Sequence, residues 1–356
     1  MAKTAIVFTP KYYEHNIRQG HPETSKRLKV IMKELEKLNI FTAGSNCKLV
    51  KPELANIEDL ELVHTLEHIK LVKRVCEHGG GLLDLGDTEV SPESFEVARY
   101  AVGGAIEAVD LVLGKKFKNA FALVRPPGHH AGSYYAAGFC VFNNVAIAAT
   151  HLIRRLNFER ILILDIDAHH GNGTQEIFYD TDKVLYISLH EDPREFPGTG
   201  FVDEIGEDEG LGYNVNIPFP FKVSDKTYQK AVDEIVIPIV RQYVPQFILA
   251  SVGYDGYYND PVAKLSLSAN SYASTFVKII ELASSLCKDR FVATLEGGYN
   301  LRKLGKLVAL TISKMAGFPY PLRDGNPPVS PRAEKQAEKV VEEVKKVQSA
   351  LWSLEL

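Results

Sequence analysis

The chain has 356 residues, of which 45% are hydrophobic and 24% are charged, and its formal net charge is −4 at pH 7. This is the composition of a globular protein with ample core residues, and the length suits one large α/β domain or two ordinary ones. The acidic balance argues against direct nucleic-acid binding. Four widely spaced cysteines without a C-x-x-C pair fit a reducing compartment, and no apolar run approaches the ~18 residues of a membrane span. We therefore expect a cytoplasmic protein that does not enter a membrane.

The first third of the chain predicts a short strand followed by helices. Residues 5–8 form an apolar run and favour a strand. A helix is expected to begin in the segment H-P-E-T-S-K-R-L, and a second helix is expected over residues 57–75. A serine–proline pair at residues 91–92 is typical of a helix start, and this third helix is expected to continue to residue 113.

The rest of the chain alternates apolar strands with helical segments. Five strands are expected, at residues 120–124, 161–164, 184–189, 247–252 and 291–295. Apolar strands separated by helices predict a three-layer αβα architecture, in which helices cover both faces of a mainly parallel central sheet. Each strand is followed at once by unusual polar residues. Because open α/β sheets bind ligands at the carboxyl ends of their strands, we expect one functional site along this edge.

The most distinctive single stretch is I-L-I-L-D-I-D-A-H-H-G-N-G-T at residues 161–174. Asp165, Asp167 and His169 stand at alternate positions, so their side chains point the same way where the chain is extended. Carboxylates held so close together repel each other unless a cation or a proton joins them. Asp and His are ligands that suit Zn²⁺ or a similar divalent ion. For this motif alone, the alternative is a turn with polar residues at the end of a strand.

The end of the chain differs in composition from what precedes it. Residues 317–331 are rich in Pro and Gly, and Ser330 with Pro331 predicts the start of a helix. That helix has an apolar stripe formed by Val340, Val344, Val347, Leu351 and Leu354. We expect one domain over residues 1–316 and a C-terminal segment over residues 317–356. The helix is expected to pack on the domain or, as the alternative, on a partner subunit of a homo-oligomer.

Six motifs follow one another in the chain and form a set. They are R-P-P-G-H-H-A (125–131), G-F-C-V-F-N-N (138–144), D-I-D-A-H-H-G-N-G-T (165–174), S-L-H (188–190) with F-P-G-T-G (196–200), G-Y-D (253–255) and E-G-G-Y-N (296–300). In this order they resemble the zinc-dependent histone deacetylase family, including its acetoin-utilisation-type and acetylpolyamine amidohydrolase members. The resemblance covers roughly residues 1–316 and implies an arginase/deacetylase-like fold.

The resemblance implies a catalytic site with one Zn²⁺ ion per chain. Asp167, His169 and Asp255 match the three metal ligands of the family. Three protein ligands leave one position open for water and for a substrate carbonyl. The metal would polarise that carbonyl and make the water more acidic. By itself, the Gly-Tyr-Asp motif that contains Asp255 would be a turn.

The resemblance also implies the residues that move protons. His129 and His130 match the paired histidines that serve as general base and general acid, and the sequence leaves open which is which. Asp165 matches the partner of His129, and Asn172 matches the partner of His130, where some branches of the family carry an aspartate. A neutral amide supports a charged imidazole less well than a carboxylate does. Tyr299 matches the tyrosine whose hydroxyl donates to the oxyanion of the tetrahedral intermediate.

Further matches concern the substrate. Phe139 and Phe196 match the two aromatic walls of a narrow tunnel, and Gly138 matches the residue whose carbonyl receives the substrate amide N–H. Arg27 matches the arginine of an internal cavity beneath the metal. Asp87 is a candidate for the rim carboxylate that grips the substrate backbone in some relatives.

The resemblance implies monovalent cations as well, K⁺ being the expected ion. One would be held by the Ser188 hydroxyl and by the backbone carbonyls of Asp165, Asp167, His169 and Leu189. A second would lie near Phe178, Thr181, Val184 and Tyr213. Carbonyl ligands leave no signature in side chains, so the residues alone do not indicate these sites.

The expected activity is hydrolysis of the N-acyl amide of a primary amine, either acetyl-lysine in a protein or an acetylated polyamine. The acidic residues at 201–209 would favour cationic substrates if they lie at the tunnel mouth, and otherwise they form a solvated loop. Two alternatives are a two-metal ureohydrolase on the same fold and a non-catalytic module that binds acylated amines. The paired histidines and Tyr299 argue against the ureohydrolase. The binding module would be favoured if Tyr299 or a metal ligand were replaced, and none of them is.

Overall fold

A central parallel sheet organises the computed structural model, which describes residues 3–355. The strands of the chain are β1 (Thr4–Val7), β2 (Cys47–Val50), β3 (Gly81–Leu82), β4 (Glu89–Val90), β5 (Asn119–Ala122), β6 (Ile161–Asp165), β7 (Val184–Glu191), β8 (Asn214–Phe219), β9 (Phe247–Val252) and β10 (Phe291–Leu295). Eight of them form one sheet in the order β2-β1-β5-β10-β9-β6-β7-β8, and its pairings are parallel. The strands β3 and β4 form a small antiparallel hairpin.

Helices cover both faces of this sheet. They are α1 (Lys26–Lys37), α2 (Ile57–Leu60), α3 (Leu66–Glu77), α4 (Ser94–Leu113), α5 (Asn144–Leu156), α6 (Asn172–Ile177), α7 (Asp225–Ala231), α8 (Ile237–Tyr243), α9 (Ala269–Leu286), α10 (Leu304–Ala316) and α11 (Pro331–Gln348). In one group of packed helices α4 contacts α5. In the other group α10 contacts both α1 and α9. The predicted three-layer αβα fold with a parallel central sheet is therefore confirmed. No helix within residues 3–355 combines the length and the apolar character needed to cross a bilayer.

The five strands that precede the polar motifs are neighbours in space. They form the contiguous run β5-β10-β9-β6-β7, and each residue of these strands is buried. Burial on both faces explains their continuous apolar sequences. Asp165, the last residue of β6, lies opposite Ser188 of β7 and Ser251 of β9. The aligned carboxyl ends bring motifs that are distant in sequence to one edge of the sheet.

Two helix predictions need correction. The helix expected over residues 57–75 is split into α2 and α3, because two separate N-caps occur within it. The Asn56 side chain accepts from the backbone N–H of Asp59, and the Thr65 side chain accepts from that of His68. The helix expected to begin at residues 91–92 begins at Ser94, whose hydroxyl accepts from the backbone of the preceding turn.

The C-terminal helix α11 packs on strand β8 of the same chain. Ser330 caps it through a hydrogen bond from the backbone of Ala333, as the sequence predicted. Gln348 Nε2 donates to the backbone carbonyl of Asn214 on β8 at 3.2 Å. The buried valines are Val341 and Val344. The predicted stripe is therefore partly wrong, because the helix ends before Leu351, which is 43% exposed.

Candidate active site

A cavity of about 280 Å³ opens at the carboxyl ends of β5, β6, β9 and β10. Eight of the predicted site residues line it, namely His129, His130, Gly138, Phe139, Asp167, His169, Phe196 and Tyr299. The lining also includes Asp87, the candidate rim carboxylate, together with Pro127, Val262 and Gly297. Three further predicted residues lie behind the lining and contact it: Asp165 contacts His129, Asn172 contacts His130, and Asp255 contacts His169. The predicted site residues thus form one continuous cluster.

Asp167, His169 and Asp255 each place one donor atom within 4.8 Å of the others. His169 Nδ1 lies 2.9 Å from Asp255 Oδ2 and 3.3 Å from Asp167 Oδ1. The second oxygen of each carboxylate accepts from the backbone, Asp167 Oδ2 from Gly297 N–H at 2.8 Å and Asp255 Oδ1 from Ala168 N–H at 3.0 Å. The two remaining oxygens and the imidazole nitrogen converge. This donor set fits Zn²⁺ or another divalent ion.

His129 is held from two sides. Its Nδ1 lies 3.0 Å from Asp165 Oδ2, which also accepts from the Tyr186 hydroxyl at 3.1 Å. Its backbone N–H, together with that of Gly128, donates to Glu296 Oε2. Burial by itself lowers the pKa of His129, but the carboxylates of Asp165 and Asp167 outweigh burial and raise the pKa to about 10. The ring is therefore fixed in orientation and favours the protonated form.

His130 has the opposite electrostatic environment. Its Nδ1 lies 2.8 Å from Asn172 Oδ1, a neutral partner at the first turn of α6. Burial and the neighbouring charge of His129 lower the pKa of His130 well below its usual value of 6.5. The two ring centroids are 4.0 Å apart. A Cβ on Gly138 would collide with the His130 ring, so glycine is required there for this close approach.

Tyr299 lies in a buried turn after β10, and its backbone is anchored from outside that turn. Its N–H and that of Asn300 donate to Asp260 Oδ2 at 2.7 and 2.9 Å. The guanidinium carbon of Arg27 lies 4.9 Å from the centre of the Tyr299 ring. Arg27 Nε also donates to the carbonyl of Gly298 at 2.7 Å. Burial raises the pKa of Tyr299 well above 10, against the lowering charge of Arg27, so its hydroxyl remains a hydrogen-bond donor.

Phe139 and Phe196 stand on the cavity wall. The Phe139 ring lies 6.0 Å from that of Tyr299, and the Phe196 ring lies 4.9 Å from that of His130. Phe139 has a positive φ of 68°, and its backbone N–H donates to the Thr88 hydroxyl at 3.1 Å. An aromatic residue in this backbone region is uncommon. The hydrogen bond ties the wall to the loop that carries Asp87.

The residues around the cavity differ in charge. Asp87 is half-buried on the lining, and its backbone carbonyl accepts from His21 Nε2 at 3.2 Å. Val262 lines the cavity as an apolar residue. The acidic segment 201–209 contributes none of the lining residues, and Glu204 within it accepts from the backbone N–H of Gly200. This geometry favours the solvated-loop interpretation for most of that segment.

The predicted K⁺ sites remain predictions. The Ser188 hydroxyl lies in the buried strand β7, 2.8 Å from His190 Nδ1. Thr181 and Tyr213, which belong to the second predicted site, lie just before β7 and β8. These positions are compatible with the expectation and do not test it.

Several residues that support the site were missed in the sequence. Glu296 accepts from the backbone N–H groups of Gly128 and His129. Asp260 accepts from the backbone N–H of Tyr299, and the Tyr186 hydroxyl donates to Asp165. A carboxylate directly after an apolar strand was an available signal for Glu296. Tyr186 was visible as a hydroxyl within an apolar strand. Asp260 stands in an ordinary Asp-Pro sequence, so nothing in the sequence indicated that it supports the site.

Comparisons with known proteins identify the family of this chain. Residues 21–315 match the histone deacetylase domain. A protein named "Probable deacetylase" from Archaeoglobus fulgidus is 44% identical over 316 residues, which cover 88% of this chain and 87% of that protein. The "Histone deacetylase-like amidohydrolase" of Pseudomonas aeruginosa is 36% identical over 86% of this chain and 79% of its own length. The crystal structure of the HDA15 HD domain superposes with a TM-score of 0.87 at 33% identity, covering 99% of this chain and 95% of that one. The chain belongs to the histone deacetylase family of hydrolases.

Proposed function

We propose that this protein is a zinc-dependent deacylase that hydrolyses the N-acyl amide of a primary amine. One observation carries the proposal: the donor set of Asp167, His169 and Asp255 meets the paired histidines and Tyr299 around a single cavity. A Zn²⁺ ion held by these three ligands would polarise the acyl carbonyl and make water a nucleophile at neutral pH. The similarity to proteins named as deacetylases and as an amidohydrolase supports the same reaction class.

The paired histidines supply the proton transfers that amide hydrolysis requires. Amide hydrolysis takes one proton from water and delivers one to the leaving amine. His130 favours the neutral form because burial and the charge of His129 lower its pKa. His129 favours the protonated form because its hydrogen-bond partner Asp165 raises its pKa. We assign His130 as the base that takes the proton from water and then, as its imidazolium, delivers that proton to the leaving amine. We assign His129 as the group that stabilises negative charge with its imidazolium. Asp165 and Asn172 orient the two rings.

Tyr299 and Gly138 are assigned to the acyl group. The Tyr299 hydroxyl remains protonated and donates to the oxygen of the acyl carbonyl as that oxygen gains charge. The Gly138 carbonyl is a candidate acceptor for the substrate amide N–H, because glycine lets the backbone come close to His130. The two groups would then hold the scissile amide at both ends.

The cavity suits a linear, cationic amine that carries a small acyl group. Its volume of about 280 Å³ and its walls of Phe139 and Phe196 suit a methylene chain that ends in an amide. Asp87 is a carboxylate on the lining, and Val262 is apolar. An acyl-lysine side chain and an acylated polyamine both meet these requirements.

The chemistry of the donor groups favours one metal ion over two. Within residues 3–355, the second set of neighbouring donors is His129, Cys140 and Glu296. Two of these residues have other partners, since His129 bonds Asp165 and Glu296 accepts from the Gly128 backbone. A ureohydrolase would need further carboxylates at this position to bridge a second ion. The geometry therefore supports the deacylase over the two-metal alternative.

The deciding experiment is a turnover screen of protein loaded with Zn²⁺. The substrates are acetyl-lysine peptides, acetylpolyamines, longer acyl-lysines and a guanidino compound, and metal content is measured by mass spectrometry. We expect release of the acid from at least one acyl amide, one metal ion per chain, and loss of activity after chelation. Hydrolysis of the guanidino compound alone would favour the ureohydrolase. Tight binding without turnover of any substrate would favour the binding module.

A further inference from the structure

A line of hydrogen bonds leads from His130 to the protein surface. His130 Nδ1 lies 2.8 Å from Asn172 Oδ1, and Asn172 Nδ2 donates to the Tyr135 hydroxyl at 3.1 Å. The Tyr135 hydroxyl donates in turn to Glu176 Oε2 at 2.9 Å. Tyr135 is half-buried, and Glu176 is exposed to solvent. Asn172 and Glu176 stand four positions apart on α6 and so share one face of that helix.

The carboxylate at the outer end determines the direction of each hydrogen bond in this line. An ionised carboxylate only accepts, so the Tyr135 hydroxyl must donate to Glu176. Burial and Glu176 raise the pKa of Tyr135, so that hydroxyl keeps its proton. Its oxygen is then free to accept, and the partner that it accepts from is the NH₂ group of Asn172. With its NH₂ group turned outward, Asn172 presents its carbonyl oxygen to His130.

The orientation of this amide matters for the chemistry of His130. A carbonyl oxygen facing Nδ1 requires a proton on Nδ1, and the lone pair of the neutral ring then lies on Nε2. A flipped amide would donate to Nδ1 and move the ring proton to Nε2, which removes the base from that nitrogen. A side-chain amide can exchange the positions of its oxygen and its NH₂ group by a flip that hardly changes its shape. A carboxylate at position 172 would have no such ambiguity, since both of its oxygens accept.

The Tyr135 ring packs against Gly132, in the loop that carries His129 and His130. A Cβ on Gly132 would collide with the Tyr135 ring, so the glycine makes room for it. Likewise, a Cβ on Gly173 would collide with the backbone of Ala131, so this glycine lets α6 approach the loop that carries His130. The neighbouring Tyr134 is 65% exposed and packs edge-on against Tyr135. Of the two adjacent tyrosines, Tyr135 takes part in the line of hydrogen bonds and Tyr134 does not.

We propose that Tyr135 and Glu176 are positioning residues that hold the Asn172 amide in the one orientation that makes His130 Nε2 a base. This inference rests on the proposed function, in which His130 takes a proton from water. Neither residue is part of the cavity lining. Both act through Asn172, which Tyr135 contacts directly and Glu176 reaches through Tyr135. A carboxylate at position 172 would accept from His130 with either oxygen. The Asn172 amide accepts only in one orientation, and the surface residues Tyr135 and Glu176 select that orientation.

The kinetic test is a double-mutant cycle on protein loaded with Zn²⁺. Tyr135→Phe should lower kcat by about tenfold with KM and metal content unchanged, because only the fraction with the correct amide orientation turns over. In the background Asn172→Asp the same substitution should change kcat by less than about twofold. Glu176→Gln should have a smaller effect than Tyr135→Phe, because glutamine still accepts. Tyr134→Phe is the matched control and should leave kcat unchanged.

An equal loss of kcat from Tyr135→Phe in both backgrounds would overturn the proposal, since that result indicates a packing role. An unchanged kcat in the otherwise unaltered protein would overturn it as well. Melting temperatures of all variants exclude an explanation by unfolding.

A second measurement decides the question without turnover. ¹⁵N spectra of histidine-labelled protein report which ring nitrogen carries the proton, and the His130→Gln variant identifies the His130 signal. We expect the Nδ1–H form in the unaltered protein and a mixture of both forms in Tyr135→Phe. An unchanged Nδ1–H form in that variant would overturn the proposal. If no acyl amide is hydrolysed, the proposed function fails, and this spectrum still tests the positioning role.

Discussion

The backbone N–H of Tyr299 donates a hydrogen bond of 2.7 Å to Oδ2 of Asp260, a half-buried residue on a different loop. The same oxygen accepts from Asn300, and Oδ1 accepts from the backbone of Val262 on the cavity lining. One carboxylate therefore joins the turn that carries the proposed oxyanion donor to a wall residue of the cavity.

The substitution Asp260→Ala should lower kcat by about 10-fold or more and leave the metal content unchanged. It removes the acceptor of three backbone N–H groups, so the Tyr299 hydroxyl loses its fixed distance to the substrate. Steady-state kinetics and metal analysis check this prediction. Asp180→Ala, at an exposed aspartate, is the control. A fully active Asp260→Ala protein would show that the turn holds Tyr299 without this anchor.

The substitution Tyr299→Phe should lower kcat by ~10²-fold or more. It removes one hydroxyl donor and leaves the ring, which packs against Arg27 and Phe139. Metal content and melting temperature should therefore stay close to those of the unaltered protein. Turnover near the unaltered rate would remove Tyr299 from the mechanism.

The substitution Asp255→Ala should abolish stoichiometric metal binding, because two remaining ligands hold a divalent ion poorly. The matched control is Asp165→Asn, which changes a buried carboxylate of the same cluster that bonds His129. That variant should keep its metal and lose turnover by about 10²-fold or more. Mass spectrometry of the native proteins measures the metal. Full occupancy in Asp255→Ala would contradict the assignment of the ligands.

The substitution Glu23→Gln should destabilise the protein by about 3–5 kcal/mol. Glu23 is fully buried and pairs with two buried arginines, Arg125 at 2.9 Å and Arg27 at 3.0 Å. Removing its charge leaves both guanidinium groups without a counter-charge. Denaturant unfolding measures the loss. Glu14→Gln, at a half-exposed ion pair with Lys11, is the control and should cost less than about 1 kcal/mol.

The same residue predicts how stability depends on pH. Burial by itself raises the pKa of Glu23, but the charges of Arg125 and Arg27 outweigh burial and lower the pKa from 4.5 to about 2. Because the folded-state pKa is depressed, this contribution is fully present above pH 4.5 and is lost as the pH falls from 4.5 towards 2. The loss amounts to about 3 kcal/mol at most. The difference in unfolding free energy between the unaltered protein and Glu23→Gln should shrink over this window, and a constant difference would refute the prediction.

The substitution Val344→Ala should destabilise the protein by about 2 kcal/mol without changing turnover. Val344 is a buried residue of α11, the helix that packs on β8, and no residue of α11 lines the cavity. Thermal unfolding and turnover at 25 °C measure the two effects. The control Glu343→Ala, at the adjacent exposed position, should be neutral. Loss of turnover in folded Val344→Ala protein would indicate a functional role for the C-terminal helix.

The strands of the site were predictable because each is short, apolar and followed by polar residues. Burial of both sheet faces imposes that pattern on any parallel sheet. Boundaries were less predictable where capping residues decide them, as Asn56 and Thr65 do in splitting the helix expected over residues 57–75. The strand β8 escaped prediction because asparagines interrupt its apolar run.

The candidate ligands Asp167 and His169 are two positions apart, so the sequence alone indicated that they belong together. Asp255 was included through its place in a family motif, and its distance from His169 is a property of the paired strands β6 and β9. The alternation of Asp165, Asp167 and His169 suggested one common face. In the structure Asp165 bonds His129, because β6 ends at Asp165 and the chain no longer alternates beyond it.

The sequence by itself determined the fold class, the edge of the sheet that holds the site, and most of the residues around the cavity. The fold class and the edge of the sheet follow from the local pattern of apolar strands that end in polar residues. The residues around the cavity follow from the resemblance of those motifs to a known family. Only the tertiary structure decided the supporting contacts, such as Asp260 with Tyr299, Glu296 with the histidine loop, and Tyr135 with Asn172. These contacts join backbone groups and side chains from separate loops. Because a hydrogen bond between distant segments requires no local pattern, only the folded arrangement of the loops reveals it.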